Sequence, residues 1–188
     1  SGYFRRLRQA GIEVEGFCLS IDPPAPCLTF QELEWRWKRG DKKLLQMYEK
    51  LEEAIVGKDV FFNSAGINLH PEFVERLPIF TVFGCCDDPE NSHHLSKPVA
   101  KSYDLCLIAN IAEVQTYKSW GVKNVEWLPM GLQPQMYDIS LTYDQILNGT
   151  REIDLFMMVD KLSPWRVQRL QKLEKAFPEA HFFGRGWK

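Results

Sequence analysis

Apolar runs and helical patterns alternate along the first two thirds of the chain. Four short runs are apolar almost throughout: KDVFFNSAG, PIFTVFG, YDLCLIAN and NVEWLPMG. Such runs are typical of strands that are buried on both faces of a parallel sheet. The segments between them carry apolar residues at helical spacing. The pattern therefore predicts an α/β fold, with a Rossmann-like parallel sheet and helices on both of its faces.

Glycine and proline mark the ends of the predicted helices. The opening stretch SGYFRRLRQAG is expected to end at Gly11, a residue type that suits the position after a helix. Residues 30–56 are predicted to be helical with a break at RGD. Pro71 suits the first turn of the helix PEFVERL, and Gly121 closes the helix IAEVQTYKSWG. One further strand is predicted at IEVEGFCLS, because its apolar and polar residues alternate.

The pattern restarts after a polar stretch, which indicates two domains. A strand at IDLFMMV, a helix over 164–177 and a strand at AHFFG predict one β-α-β unit, too small to hold a core alone. Domains of this class normally open with a strand, whereas this chain opens with a helix. We therefore predict a Rossmann-like domain over residues 1–140 whose first strand is missing. Residues 141–188 are predicted to be a linker and the beginning of a second Rossmann-like domain.

Composition excludes several classes of partner. The chain has 188 residues, 23 of them basic and 25 acidic, so its net charge of −2 argues against nucleic acid as a ligand. No apolar run approaches the ~20 residues of a membrane span. The five cysteines lack the spacing of a disulfide framework or a zinc site. These features predict a cytoplasmic protein with reduced thiols.

The stretch GCCDDPENSHH carries the most conspicuous ionisable groups. It follows a predicted strand, and the carboxyl ends of parallel strands form the edge at which ligands bind in open sheets. Asp87, Asp88 and His93 are candidates for a catalytic base, and Glu90 and His94 for substrate binding. Alternatively, an aspartate caps the following helix and the histidines are solvated surface.

Two other positions are candidates for holding a substrate. In NSAGINL, Gly66 would let the backbone approach a ligand, with Asn63 and Asn68 as hydrogen-bonding partners. Gly2 lies at the start of the first helix, where backbone N–H groups can face an anion or a sugar. The alternatives are an ordinary tight turn at Gly66 and an ordinary helix start at Gly2.

A metal site is the least favoured interpretation of the acidic loop. Asp87, Asp88, His93 and His94 have the oxygen and imidazole ligands that divalent metals accept. However, they lack a regular helical spacing such as HExxH. We therefore predict no bound metal, and a metal-dependent hydrolase remains the third alternative.

Several motifs together resemble a known family. FTVFGCCDDPE, SYDLCLIAN, TYKSWGVKNVEWLPMGLQP and the final FFGRGW follow one another in an order that resembles the CgeB-like (spore-protein-like) glycosyltransferases of the GT-B superfamily. The resemblance covers roughly residues 58–188. It implies two Rossmann-like domains that face each other across a cleft. The N-terminal domain would hold mainly the acceptor, and the C-terminal domain would hold the nucleotide sugar.

The resemblance also implies which parts of the enzyme this chain carries. The family's donor-binding signature, an acidic residue and glycines, would lie beyond Lys188. The chain is therefore expected to comprise the acceptor-side domain and the beginning of the donor-side domain, and to be inactive without the rest of the latter. No cofactor is expected, because the nucleotide sugar is itself a substrate. The sequence leaves the oligomeric state open.

Three residues near the end of the chain are candidates for the donor phosphates. Lys161 and Arg166 flank the helix start in VDKLSPWRVQRL, and the resemblance implies that this loop faces the diphosphate. Gly184 in FFGRGW follows a strand and would admit a ligand. Alternatively, the basic residues belong to a solvated helix surface. A non-catalytic α/β binding domain is the main competing hypothesis for the whole chain, since a fold alone does not determine function.

Overall fold

The computed structural model describes seven stretches of the chain: residues 2–21, 28–64, 68–90, 92–131, 140–150, 155–158 and 164–183. These stretches belong to two compact units, Ser1–Gly131 and Leu132–Lys188. The division falls after residue 131, whereas the predicted boundary falls after residue 140.

The first unit contains helices and short strands, with most of the helices before or between the strands in sequence. The helices are α1 (Gly2–Gln9), α2 (Phe30–Lys38), α3 (Lys42–Ala54), α4 (Pro71–Val74), α5 (Lys97–Val99) and α6 (Val114–Ser119). The strands are β1 (Val60–Ser64), β2 (Phe80–Cys85), β3 (Leu105–Ile108) and β4 (Val125–Trp127). A π-helical turn (Ser92–Ser96) precedes α5, and 3-10 turns (Ala100–Ser102 and Ile111–Glu113) follow α5 and precede α6.

The four strands form one sheet in the order β1-β2-β3-β4, and all neighbours are parallel. This confirms the predicted α/β class with a parallel sheet, and it is consistent with a Rossmann-like fold. Consecutive strands are neighbours, so right-handed crossovers place their connecting helices on one face. One face of the sheet is therefore covered by these helices, and the other face is less covered.

The main core lies on the face that carries Phe83, Cys85, Cys106 and Ile108. Neighbouring strands bring these residues level, because Phe83 pairs with Cys106 and Cys85 pairs with Ile108. They join one buried cluster with residues of α3, α4 and α6, including Leu44, Leu51, Phe73 and Tyr117. Tyr48 of α3 stacks on Phe73 of α4 with 3.9 Å between the ring centroids. Close packing on this face determines where the strand-to-helix loops emerge.

The second face of the sheet is less covered. Val82 is buried there, but Val60, Phe62 and Phe80 are 54%, 39% and 48% exposed. These residues share a face because Val60 pairs with Phe80 and Phe62 pairs with Val82. Helices on this second face stay a prediction.

Local signals predicted most helix ends correctly. Gly11 and Gly121 have φ values of 79° and 85°, the left-handed conformation that follows many helices. Pro71 begins α4, and the break between α2 and α3 is at residues 39–41, the predicted RGD. Asp41 caps α3 by accepting a hydrogen bond from the Leu44 backbone N–H.

Two local predictions were wrong or incomplete. IEVEGFCLS forms no strand: the Leu19 carbonyl instead accepts a hydrogen bond of 2.6 Å from the Asn68 side chain. Alternation predicts a strand only where a sheet edge is available to pair with it. The structure also contains a helix that was not predicted, α7 (Tyr143–Asn148), in the stretch predicted to be a linker. A capping box formed by Thr142 and Gln145 begins this helix.

The second unit contains the predicted β-α-β element. Strands β5 (Phe156–Met158) and β6 (His181–Phe183) are parallel, and α8 (Pro164–Ala176) lies between them in sequence. Leu170 is a buried residue of α8. Within the described part of the chain, no helix has both the length and the apolar character that crossing a membrane would require.

Candidate functional site

The loops after β2, β3 and β4 emerge at the same edge of the sheet. Cys85, the last residue of β2, pairs with Ile108, which in turn pairs with Trp127 at the end of β4. These three residues end their strands at one level, and parallel strands share their carboxyl edge. The acidic loop that starts at Cys86 therefore leaves the edge at which α/β folds bind ligands.

Asp88 is the acidic residue that this loop turns towards the domain. Its Oδ2 accepts a hydrogen bond of 2.5 Å from the hydroxyl of Tyr117, a fully buried residue of α6. Its Oδ1 is also shielded from solvent, yet it accepts no hydrogen bond from the residues that the structure describes. Asp88 as a whole remains partly exposed. The two carboxylate oxygens therefore have different environments.

A small polar group lies behind Asp88. Ser96 is fully buried and hydrogen-bonds the Cys85 thiol at 3.4 Å. Burial, with the hydrogen bond to Asp88 as a second cause, raises the pKa of Tyr117 far above its usual range. Burial likewise raises the pKa of Cys85, and the nearby charge of Asp88 acts in the same direction. Both groups therefore stay protonated near neutral pH.

The other candidates of the acidic loop lie at the surface. Asp87, Glu90, His93 and His94 are exposed, and the two histidines belong to the π-helical turn. Within the described part of this loop, Asp88 is the residue that hydrogen-bonds to Tyr117. The structure thus separates Asp88 from the candidates next to it. Their catalytic and binding roles stay predictions.

The capping alternative can be compared directly with these contacts. The side-chain partner of Asp88 is Tyr117, on the helix that follows β3, and the N-cap residue of α5 is Ser96, which makes no side-chain capping bond. Asp88 therefore connects the loop to α6, a connection that spans 29 positions of sequence.

Both asparagine candidates hold the domain together. The buried Asn63 donates its amide to the Tyr103 hydroxyl at 2.8 Å. Asn68 has a positive φ of 62°, accepts from the Leu28 backbone N–H at 2.9 Å and donates to the Leu19 carbonyl. These contacts occupy the amide groups that were expected to face a ligand.

The remaining candidates are placed only in part. Gly66, Lys161 and Gly184 lie outside the described residues. Gly2 begins α1, and Arg166 is a partly buried residue of the first turn of α8 in the second unit. Among the described residues, no group of three or more histidine, cysteine, aspartate or glutamate side chains is arranged to hold a metal ion.

A buried histidine was missed by the sequence reasoning. His70 caps α4 by accepting a hydrogen bond of 3.3 Å from the Glu72 N–H at Nδ1. Its Nε2 lies 2.6 Å from Glu34 Oε2, and because Nδ1 accepts, Nε2 is the donor. The ring stacks on Trp37 with 4.8 Å between centroids. Both nitrogens have partners within the protein, so His70 connects α2 to α4.

Tyr117 was also missed as a site residue. The sequence predicted only that it lies in the helix IAEVQTYKSWG. The one sequence signal for it is a polar aromatic residue on a helix that begins at the same sheet edge as the acidic loop. Tyrosine in a core usually finds a partner for its hydroxyl, and here that partner is Asp88.

We expect Glu34→Gln to destabilise the first unit at neutral pH by about 1 kcal/mol, the upper range for a partly exposed ion pair. Hydrogen bonds from Lys38 and then from His70 lower the pKa of Glu34. The resulting stabilisation is complete above the ordinary glutamate pKa of about 4.3, and it is lost as the pH falls through the lower folded-state value. The difference in melting temperature between wild type and variant should therefore be smaller at pH 3 than at pH 7.

Glu49→Gln is the matched control for this prediction, because Glu49 is an exposed glutamate of α3. It should leave the melting temperature unchanged at both pH values. An equal loss of stability at pH 3 and pH 7 for Glu34→Gln would contradict the ion-pair explanation.

No protein-family model matches the chain, and no curated protein matches it significantly.

Proposed function

We propose that this protein is the acceptor-side part of a GT-B glycosyltransferase that transfers a sugar from a nucleotide-sugar donor. The observation that carries the proposal is Asp88, a carboxylate anchored by Tyr117 at the carboxyl edge of a parallel sheet. The motifs that resemble CgeB-like glycosyltransferases provide the reaction class. The β5-α8-β6 element that follows supports the expectation of a second Rossmann-like domain.

The proposed reaction needs a base and a stabilised leaving group. Asp88 takes the proton of the acceptor hydroxyl, and the oxygen of that hydroxyl attacks the anomeric carbon of the donor. The new bond joins the acceptor oxygen to that carbon, and the bond from that carbon to the diphosphate breaks. The nucleoside diphosphate leaves with the electron pair. Lys161 and Arg166 are the proposed phosphate-binding residues, because fixed cations stabilise the charge that develops on a departing diphosphate.

Cysteine chemistry supports a cytoplasmic location as part of this proposal. The four cysteines that the structure describes, Cys18, Cys85, Cys86 and Cys106, all carry free thiols. Free thiols are usual where glutathione and thioredoxin keep cysteines reduced.

The competing proposal is a non-catalytic α/β binding domain. It is favoured by the internal use of polar groups at the sheet edge: Asn63, Asn68 and Asp88 Oδ2 all make hydrogen bonds within the first unit. Groups that bind ligands usually keep part of their hydrogen-bonding capacity for the ligand. Asp88 Oδ1, which accepts a hydrogen bond from none of the described residues, is the observation that favours the transferase over this alternative.

A panel of nucleotide sugars tests the proposal on the complete protein. The donor should raise the melting temperature, as does any ligand that binds only the folded state. The protein should also release nucleoside diphosphate from that donor slowly in the absence of acceptor. Stabilisation without release for every sugar nucleotide would favour the binding domain. Neither stabilisation nor release would overturn the transferase proposal.

A further inference from the structure

The hydrogen bond between Tyr117 and Asp88 has a defined direction. An ionised carboxylate only accepts, so the single hydroxyl hydrogen of Tyr117 is directed at Asp88 Oδ2. Ser96 and Cys85 lie behind this pair, with 3.4 Å between the Ser96 Oγ and the Cys85 sulfur.

The two oxygens of Asp88 differ in their contacts. Oδ2 accepts from Tyr117, whereas Oδ1 accepts from none of the described residues although it is shielded from solvent. The hydrogen bond from Tyr117 is therefore the described side-chain contact that determines how the carboxylate is oriented.

We propose that Tyr117 is a positioning residue that holds the Asp88 carboxylate in one orientation at the carboxyl edge of the sheet by donating to its Oδ2. This inference rests on the proposed transferase function, in which Asp88 is the base. Tyr117 does not contact the reacting atoms in this arrangement.

Burial raises the pKa of Tyr117, so its hydroxyl keeps its hydrogen over the pH range in which enzymes are usually assayed. Tyr117 therefore remains a hydrogen-bond donor to Asp88 over that range.

Tyr117→Phe in the complete protein tests the inference. The variant keeps the buried ring and removes only the hydroxyl. Loss of a hydrogen bond to a charged group should lower kcat by about tenfold to a hundredfold. The KM for the acceptor should stay close to the wild-type value, because Tyr117 contacts the base and not the substrate.

Tyr103→Phe is the matched control. Tyr103 is another buried tyrosine of the same core, and its hydroxyl contacts Asn63 rather than Asp88. This variant should lower stability but leave kcat close to the wild-type value. An unchanged kcat for Tyr117→Phe, or an equal fall in kcat for Tyr103→Phe, would overturn the positioning role.

Proton NMR separates failure of this inference from failure of the proposed function. The Tyr117 hydroxyl should give a slowly exchanging downfield signal that disappears in Tyr117→Phe and moves upfield in Asp88→Asn, because an amide is the weaker acceptor. If the signal ignores Asp88→Asn, the hydrogen-bonded arrangement itself is wrong. If the signal responds but the complete protein transfers no sugar with any donor, the arrangement stands, and the proposed function fails together with the positioning role.

Discussion

Asp88→Asn is expected to lower the rate of sugar transfer by the complete protein by about 10²–10⁴-fold, the usual contribution of a general base. Asparagine has the size of aspartate, and its carbonyl oxygen still accepts a hydrogen bond from Tyr117. The loop should therefore keep its connection to α6, while the group that takes the proton is lost. Steady-state kinetics with the best donor of the panel measure the change.

The control for this variant is Asp59→Asn. Asp59 is an exposed aspartate just before β1, at the amino edge of the sheet, opposite the edge from which the acidic loop leaves. It should leave both kcat and the melting temperature unchanged. If Asp88→Asn lowers the melting temperature while transfer continues at the wild-type rate, Asp88 is a structural residue and the base lies elsewhere.

Phe83→Ala should destabilise the first unit by about 3–5 kcal/mol, the range found when large aromatic residues are removed from cores. Phe83 is fully buried in the middle of β2, and its ring lies 5.4 Å from the Tyr103 ring and 6.4 Å from the Tyr117 ring, centroid to centroid. The cavity would form directly beneath the acidic loop. Urea unfolding followed by tryptophan fluorescence measures the free energy of unfolding.

Phe80→Ala provides a control on the same strand. Phe80 is 48% exposed on the opposite face of β2, so removing its ring uncovers much less apolar area that folding had buried. We expect a loss of about 1 kcal/mol or less. A loss as large as that of Phe83→Ala would mean that the second face is packed as deeply as the first.

The acidic loop illustrates how far the sequence could predict the candidate site. Its place at the carboxyl edge followed from the apolar run before it and from the general geometry of parallel sheets. The contacts within the loop could not be predicted from the sequence. Its polar residues are alike in the sequence, which does not show which of them is buried: Asp87, Asp88, His93 and His94. The structure separates them by burial: Asp88 reaches Tyr117, and the other three remain exposed.

The asparagines show the opposite case. A small polar loop after a strand suggests ligand contacts, yet Asn63 and Asn68 make internal bonds to Tyr103, Leu19 and Leu28. The partners of Asn68 lie 49 and 40 positions away in sequence. No local pattern indicates which distant backbone group a buried amide will satisfy, so a structural role and a binding role look alike in the sequence.

The amino-acid sequence of this protein by itself determined most of the order of strands and helices from β1 to β6. Hydrophobic period, glycine after helices and proline in their first turn act over a few neighbouring residues, and so they can be read without knowing the partners. Tertiary structure alone decided that IEVEGFCLS forms no strand, that His70 connects α2 to α4 and that Asp88 contacts Tyr117. Those outcomes depend on which distant surfaces the crossovers bring together, and burial then selects the polar groups that must find partners.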